Sequence, residues 1–262
     1  MSSSSPLAGA VVIVTGASSG IGAATATAFA AAGAHLALTG RRRALLEEVA
    51  ERVGSAGVRV LVQPHDVADQ AAVEASVNAA HAHFGRLDVL AHVAGMNTPR
   101  RNLRDIAPDE WRRVLDVNLS GVYYFVRAVL PIFRAARGGS IVIVGSGSGL
   151  LADEGGGVAY CASKFGVTSL VQSINAEERR HGIRACAVQA GEVDTPILDF
   201  RPAPPPAEKR ALMLRSEDVA AALVYAASQP PRVNVEQIIV NPTLDRDYPG
   251  ARALMSRWRA GA

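Results

Sequence analysis

Tyr160 and Lys164 stand four residues apart in the run YCASK, so on a helix the phenol and the ammonium share one face. A free phenol titrates at about 10 and exchanges protons poorly at neutral pH. A neighbouring cation favours the phenolate and draws that value toward the working range. Such a pair can move a proton to or from an oxygen of a bound molecule. Upstream, residues 15–22 read TGASSGIG, after an apolar run and before a helical one. Gly16, Gly20 and Gly22 let the backbone turn sharply and approach a ligand. A helix starting there offers unpaired N–H groups and its positive dipole end to a phosphate. A YxxxK pair arises by chance on many helices, and a glycine-rich turn can be packing alone. Their weight comes from what surrounds them.

The second apolar run ends at Thr39-Gly40 and is followed by Arg41, Arg42 and Arg43. A chain that binds NAD would place an acidic side chain here to hold the adenosine ribose hydroxyls. Cations at a helix N-terminus oppose the macrodipole. A 2′-phosphate would offset that cost and accept bidentate hydrogen bonds from arginine. The expected cofactor is therefore NADP(H), with NAD(H) as the alternative, and Arg41 precedes Arg42 as the expected contact.

The elements that must position these groups follow from periodicity. Non-alternating apolar runs at 10–14, 35–39, 58–62, 87–93, 140–144, 183–188 and 237–240 have strand length, as expected for strands buried on both faces of a parallel sheet. Between them, 20–32, 44–53, 70–84, 108–137, 158–181 and 216–228 have helical spacing. Strand–helix alternation predicts a single-domain α/β fold, a doubly wound parallel sheet of about seven strands with helices on both faces. Residues 1–6 read as a frayed tail and 7–262 as the domain. Loop 97–107 and segment 195–210, which holds five of the fourteen prolines, follow strands. They either border a ligand site or are ordinary surface loops.

Composition narrows the classes. Of 262 residues 49% are hydrophobic and 19% charged, so a core can form and global disorder is excluded. A net charge of +3 with only two lysines, Lys164 and Lys209, does not make a nucleic-acid surface. Cys161 and Cys186 lack metal-ligand spacing, so neither a disulfide framework nor a metal site is expected and a reducing cytoplasm is the default. The stretch 23–38 is interrupted by Thr, Gly and His and suits a buried helix and strand better than a membrane span.

Gly16, Gly20 and Gly22 together with YxxxK, in an α/β chain of this length, resemble the short-chain dehydrogenase/reductase family along essentially the whole chain. Further matches lie in order between and beyond the two anchors. Asp66-Val67 resembles the pair that holds the adenine ring. Ala94-Gly95 resembles the end of an Asn-Asn-Ala-Gly motif. Asn118, in DVNLSG, and Ser146, after SIVIVG, match the remaining members of a catalytic tetrad with Tyr160 and Lys164. Residues 191–195 (GEVDT) resemble the loop at the nicotinamide end, with Val193 and Thr195 as contacts. The glycine turn would contribute Gly16, Ser18, Ser19, Gly20, Ile21 and Gly22.

The resemblance implies hydride transfer between nicotinamide and the carbonyl or alcohol carbon of a small organic substrate. Tyr160 would be acid and base, and Lys164 would bind the nicotinamide ribose and tune Tyr160. Ser146 would orient the substrate oxygen, and Asn118 would hold a water linking Lys164 to solvent. It also implies a homodimer or homotetramer. The alternatives are a regulatory protein that senses NADP(H) without turning it over, and a sugar-nucleotide epimerase or dehydratase of the longer related branch.

The chain departs from the family pattern in several places. His92-Val93 replaces the two asparagines, and Ala190 stands where proline is usual. The stretch from Ser146 to Tyr160 is one residue longer, which leaves Ser148 as a rival for the catalytic hydroxyl. His92 is expected to satisfy backbone groups, Cys161 to be a buried thiol, and Asp153 and Glu154 to be solvated at the pocket mouth. Arg100, Arg101 and Arg104 either attract an acidic substrate or belong to a solvated loop. The ending over 232–247 loosely resembles a branch of hydroxy-acid and small-aldehyde reductases.

Overall fold

A computed structural model describes residues 5–243. The first four residues of the expected tail, and the last four of the 232–247 ending, lie outside the described residues. Strands β1 (Val11–Val14), β2 (His35–Gly40), β3 (Val60–Pro64), β4 (Val89–His92), β5 (Gly139–Val144), β6 (Ile183–Ala190) and β7 (Gln237–Val240) form a sheet in the order β3-β2-β1-β4-β5-β6-β7. Every pairing is parallel.

Burial on both sides explains the unbroken apolar runs of β1, β2, β4, β5 and β6. The edge strands β3 and β7 are only partly buried and Ile239 is exposed, contrary to the expectation for those two runs. Val12 and Val14 pack into one core cluster while Val11 and Ile13 pack into the other; Leu36 and Leu38 face the first, Ala37 the second. The first cluster is closed by α1 (Gly20–Ala31) through Phe29, α2 (Arg43–Gly54) through Leu46 and Val49, and α8 (Ser216–Ala227) through Val219 and Leu223. The second is closed by α3 (Gln70–Phe84), α5 (Gly121–Ala136) and α6 (Val158–Glu178), with Val77, Phe125, Phe133, Val167 and Val171. The short helices α4 (Pro108–Leu115) and α7 (Ala207–Arg210) lie in the connections.

Two local readings are corrected. The helix expected over 108–137 is not continuous: a π turn at Asp116–Ser120 separates α4 from α5. Single π turns inside α-helices often mark functional positions, and this one carries Asn118. Strand β3 begins two residues later than the apolar run suggests, because it pairs with β2 from Leu36↔Val60 to Gly40↔Pro64. Segment 195–210 contains a 3-10 turn at Pro196–Phe200 and the short α7. Its prolines are tolerated because Pro196 starts the turn and Pro206 precedes α7, where no intrahelical N–H is needed.

The chain reverses direction of winding between β1 and β4, which are neighbours in the sheet. In open α/β sheets the crevice for a ligand forms at the carboxyl ends of the strands at this point. The glycine turn, the loop after β4, Ser146 after β5 and residues 191–195 after β6 all leave the sheet there.

Candidate active site

The glycine turn is held by its own backbone. Thr15 Oγ1 accepts the N–H groups of Val93 and Ala94, each at 3.0 Å, and so locks the loop after β4 to the turn after β1. Gly16 has φ +64°, and a Cβ there would fall 2.8 Å from Ala94 Cα. A Cβ on Gly22 would lie 2.0 Å from the Gly16 carbonyl oxygen. Two of the three glycines are thus required by close backbone approach. Ser19 caps α1 in an extended conformation without a side-chain capping bond, and the first turn of α1 has no acidic residue. The positive end of this helix therefore meets the cleft without a carboxylate of its own element.

Arg42 reaches across from the start of α2, donating to Ser18 Oγ at 3.0 Å and to Ser19 Oγ at 2.7 Å. Asp66 accepts from Ala68 N at 3.0 Å and pairs with Arg113 of α4. Burial pushes the Asp66 carboxyl up, but those hydrogen bonds and the charges of Arg113 and Arg41 outweigh it and leave it below the usual range.

At the other end, α6 carries Tyr160 and Lys164 on one face, with the ammonium 5.5 Å from the phenol ring centroid. Lys164 is buried and its Nζ donates to the carbonyl of Val144 at 2.8 Å. Burial brings its pKa down to about 8. Burial also pushes the Tyr160 phenol above its ordinary value, and the Ser146 hydroxyl offsets part of this. Desolvation is the largest influence on the phenol.

The two candidate hydroxyls differ in their commitments. Ser148 Oγ donates to Asp153 Oδ2 at 2.7 Å, and Asp153 Oδ1 accepts from Gly156 N at 2.7 Å. Asp153 therefore organises the loop before α6, beyond the solvation expected of it. Ser146 keeps its hydroxyl toward the cleft, accepting from Ser148 N at 3.2 Å, while its own N–H donates to Gln189 Oε1 at 2.8 Å. Gln189 is fully buried and its Nε2 donates to Thr168 Oγ1 of α6 at 3.0 Å.

Asn118 Oδ1 accepts from Met96 N at 2.8 Å and its Nδ2 donates to Met96 O at 2.9 Å, so the carboxamide fixes the loop after β4. His92, at the end of β4, is buried with Nε2 lacking a hydrogen-bond partner. A hydrogen bond to the residue's own backbone still acts on the ring, which sits edge-on to Phe125 at 5.6 Å. Of the loop arginines, Arg100 pairs with Glu110 at 3.2 Å, Arg101 is buried and Arg104 is exposed. Cys161 is buried, with Sγ 3.6 Å from Asp153 O.

These groups border one cleft of about 980 Å³, which runs from Arg41 and Arg42 to Tyr160 and Arg201. Every residue singled out from the sequence for cofactor contact or proton transfer lines it except Asn118, which stands behind the wall and acts on Met96. Sequence reasoning missed Gln189, whose signal was a polar side chain directly after an apolar strand run. It also missed the structural part taken by Asp153. Among the described residues, no helix is long and apolar enough to cross a membrane.

Residues 10–204 match the family model described as short chain dehydrogenase. A similar curated protein is the glycine betaine reductase ATRR of Emericella nidulans, 39% identical over 93% of this chain; the chain spans only 19% of that protein's length. Among solved structures, the alcohol dehydrogenase of the archaeon Thermococcus sibiricus, complexed with 5-hydroxy-NADP, superposes with a TM-score of 0.81 at 28% identity, covering 90% of this chain and 98% of that one. The 3-ketoacyl-(acyl-carrier-protein) reductase of Brucella melitensis, complexed with NADH, gives a TM-score of 0.81 at 28% identity over the same shares.

Proposed function

The chain belongs to the short-chain dehydrogenase family and is an NAD(P)-dependent oxidoreductase of it, and from that premise we propose that it interconverts a carbonyl and an alcohol on a small organic substrate with NADP(H) preferred over NAD(H). The donor set fits a phosphate-bearing dinucleotide. The start of α1 meets the cleft without an acidic residue, and two serines are bridged by Arg42. Position 40, where a ribose-binding carboxylate would stand, is a glycine facing Ser18 Oγ and Leu46. Gly16, Ser18, Ser19, Gly20, Ile21 and Gly22 would hold the pyrophosphate, Arg41 and Arg42 the 2′-phosphate, and Asp66 and Val67 the adenine. Ala94, Gly95, Val193 and Thr195 would hold the nicotinamide half. When bound, the nicotinamide supplies or accepts the hydride.

The single observation that carries the reading is the convergence of Ser146, Tyr160 and Lys164 on the end of the cleft opposite the arginines. Tyr160 Oη gives its proton to the carbonyl oxygen in reduction and takes it back in oxidation. The raised pKa keeps the phenol protonated at neutral pH, ready for the acid direction. Lys164, at about 8, remains charged there and stabilises the phenolate that remains after transfer. Ser146 Oγ orients the carbonyl oxygen; the engagement of Ser148 with Asp153 favours Ser146 for this role. Gly95 lies between Asn118 and Lys164: a Cβ there would sit 3.6 Å from Oδ1 and 3.9 Å from Nζ, so its absence leaves room for a water joining them.

We further expect a cytoplasmic homodimer or homotetramer, with exposed Tyr123 and Phe165 on α5 and α6 available to the contact; sedimentation velocity measures this. The activity test is absorbance of reduced nicotinamide with a panel of ketones, aldehydes and hydroxy acids. Turnover of NADPH above NADH is expected, and Tyr160→Phe should lose about 10²–10⁴ in rate while still binding NADPH. Tight NADPH binding with no turnover of any panel member would overturn the proposal in favour of a sensor.

A further inference from the structure

Arg101 is 6% exposed and lines the cleft, and among the described residues its guanidinium hydrogen-bonds only to backbone carbonyls. Its Nε donates to Thr98 O at 3.0 Å, its Nη1 to Gly155 O at 2.9 Å and its Nη2 to Phe200 O at 3.0 Å. Those carbonyls belong to three separate segments: the loop after β4, the loop before α6 and the 3-10 turn after β6. The last two lie 54 and 99 residues from Arg101 in sequence. The backbone adds a fourth tie, because Arg101 O accepts the N–H of Val158, the first residue of α6, at 3.0 Å. Gly157, with φ +77°, packs so closely that a Cβ on it would fall 2.5 Å from Arg101 Cβ. Asn97 Nδ2 reinforces the join by donating to Gly156 O at 2.9 Å.

A planar fork with five N–H donors can span three carbonyls in fixed directions; a lysine ammonium cannot. Burying a cation among neutral acceptors is costly, so the position is not an accident of a solvated loop. The apolar core holds these segments only lightly, through the buried Leu198 of the 3-10 turn. None of residues 97–107, 147–157 or 195–206 belongs to either core cluster. Segments with little apolar anchorage open locally at low free energy unless polar contacts tie them.

We propose that Arg101 is a positioning residue: its guanidinium clamps the three loops that close the substrate end of the cleft and seats the first turn of the Tyr160 helix. This rests on the oxidoreductase reading above, and it sets substrate fit while leaving the cofactor end untouched. Arg101 reaches neither the glycine turn nor Arg41 and Arg42 through any hydrogen bond among the described residues.

Arg101→Met and Arg101→Lys test it, the second as the milder change should the first not fold. Hydrogen–deuterium exchange should accelerate by about tenfold or more in peptides covering 150–157 and 196–203 in both variants, with 11–40 unchanged. NADPH affinity, read by fluorescence titration, should stay within about twofold. With 4-nitrobenzaldehyde as the carbonyl probe, its KM should rise while that for NADPH does not. Unchanged exchange in both loops, or acceleration shared equally with β1 and α1, overturns the clamp. A wild type that fails to reduce any carbonyl overturns the enzyme reading instead, and the exchange data still decide the clamp.

Discussion

His92 gives the sharpest quantitative expectation. It ends β4 with 1% exposure, Nε2 has no hydrogen-bond partner, and burial, aided by the charge of Lys164, lowers its pKa from 6.5 to about 3. The folded protein therefore holds this ring neutral where the unfolded chain would protonate it. Because the folded value lies below the unfolded one, the stability is complete above the unfolded pKa and is lost as pH falls toward the folded one. At about pH 5 the loss is 1.5 units at about 1.36 kcal/mol each, or roughly 2 kcal/mol. For 262 residues at about 2.1 cal/mol/K per residue, the unfolding entropy is roughly 0.55 kcal/mol/K, so Tm should fall by about 4 °C from this ring alone. His92→Asn removes the titration while keeping a polar side chain; any packing cost of the change is independent of pH. The assay is Tm by circular dichroism at about pH 7.5 and about pH 5 for both proteins, other groups cancelling in the difference. Wild type should lose about 4 °C more than the variant. Parallel declines within about 1 °C would refute the claim that the fold keeps His92 neutral.

Other expectations concern the cleft directly. Arg42→Ala removes two charge-assisted hydrogen bonds from the glycine turn and should cut the NADPH-over-NADH affinity ratio by about 10- to 100-fold, as read by titrating both cofactors; Arg41→Ala should act in the same direction. Ser146→Ala should lower kcat by about 10²–10³, whereas Ser148→Ala, which loses the Asp153 bond, should change kcat by less than about tenfold; a reversed ranking would assign the reaction to Ser148. Gln189→Leu leaves the Ser146 N–H unpaired in a buried site, at a cost of about 1–3 kcal/mol. Steady-state kinetics should show its kcat falling with NADPH affinity retained.

Much of the molecule was legible without tertiary information because the relevant physics is local. Strand runs buried on both faces, such as those of β1 and β5, show as unbroken apolar stretches. Helices show as periodicity, and a positive-φ turn such as that at Gly16 shows as glycine. The spacing of Tyr160 and Lys164 placed them on one face of α6. The loop after β4 was marked by Ala94-Gly95, but its attachment to Thr15 was not, since that bond spans 78 residues.

What the sequence by itself determined is the sheet, the glycine turn and the order of reactive groups along the chain. Only the tertiary structure decided how those groups are held. Asn118 sits on a π turn that the helical spacing read over 108–137 did not mark. Gln189 meets Ser146 across 43 residues, and Arg101 meets Phe200 across 99. Such contacts depend on where folded segments converge, and no local pattern encodes that. The neutral His92 and the raised Tyr160 have the same origin: burial is a property of the assembled core, and for the phenol it outweighs the opposing influence of Ser146 and Arg201.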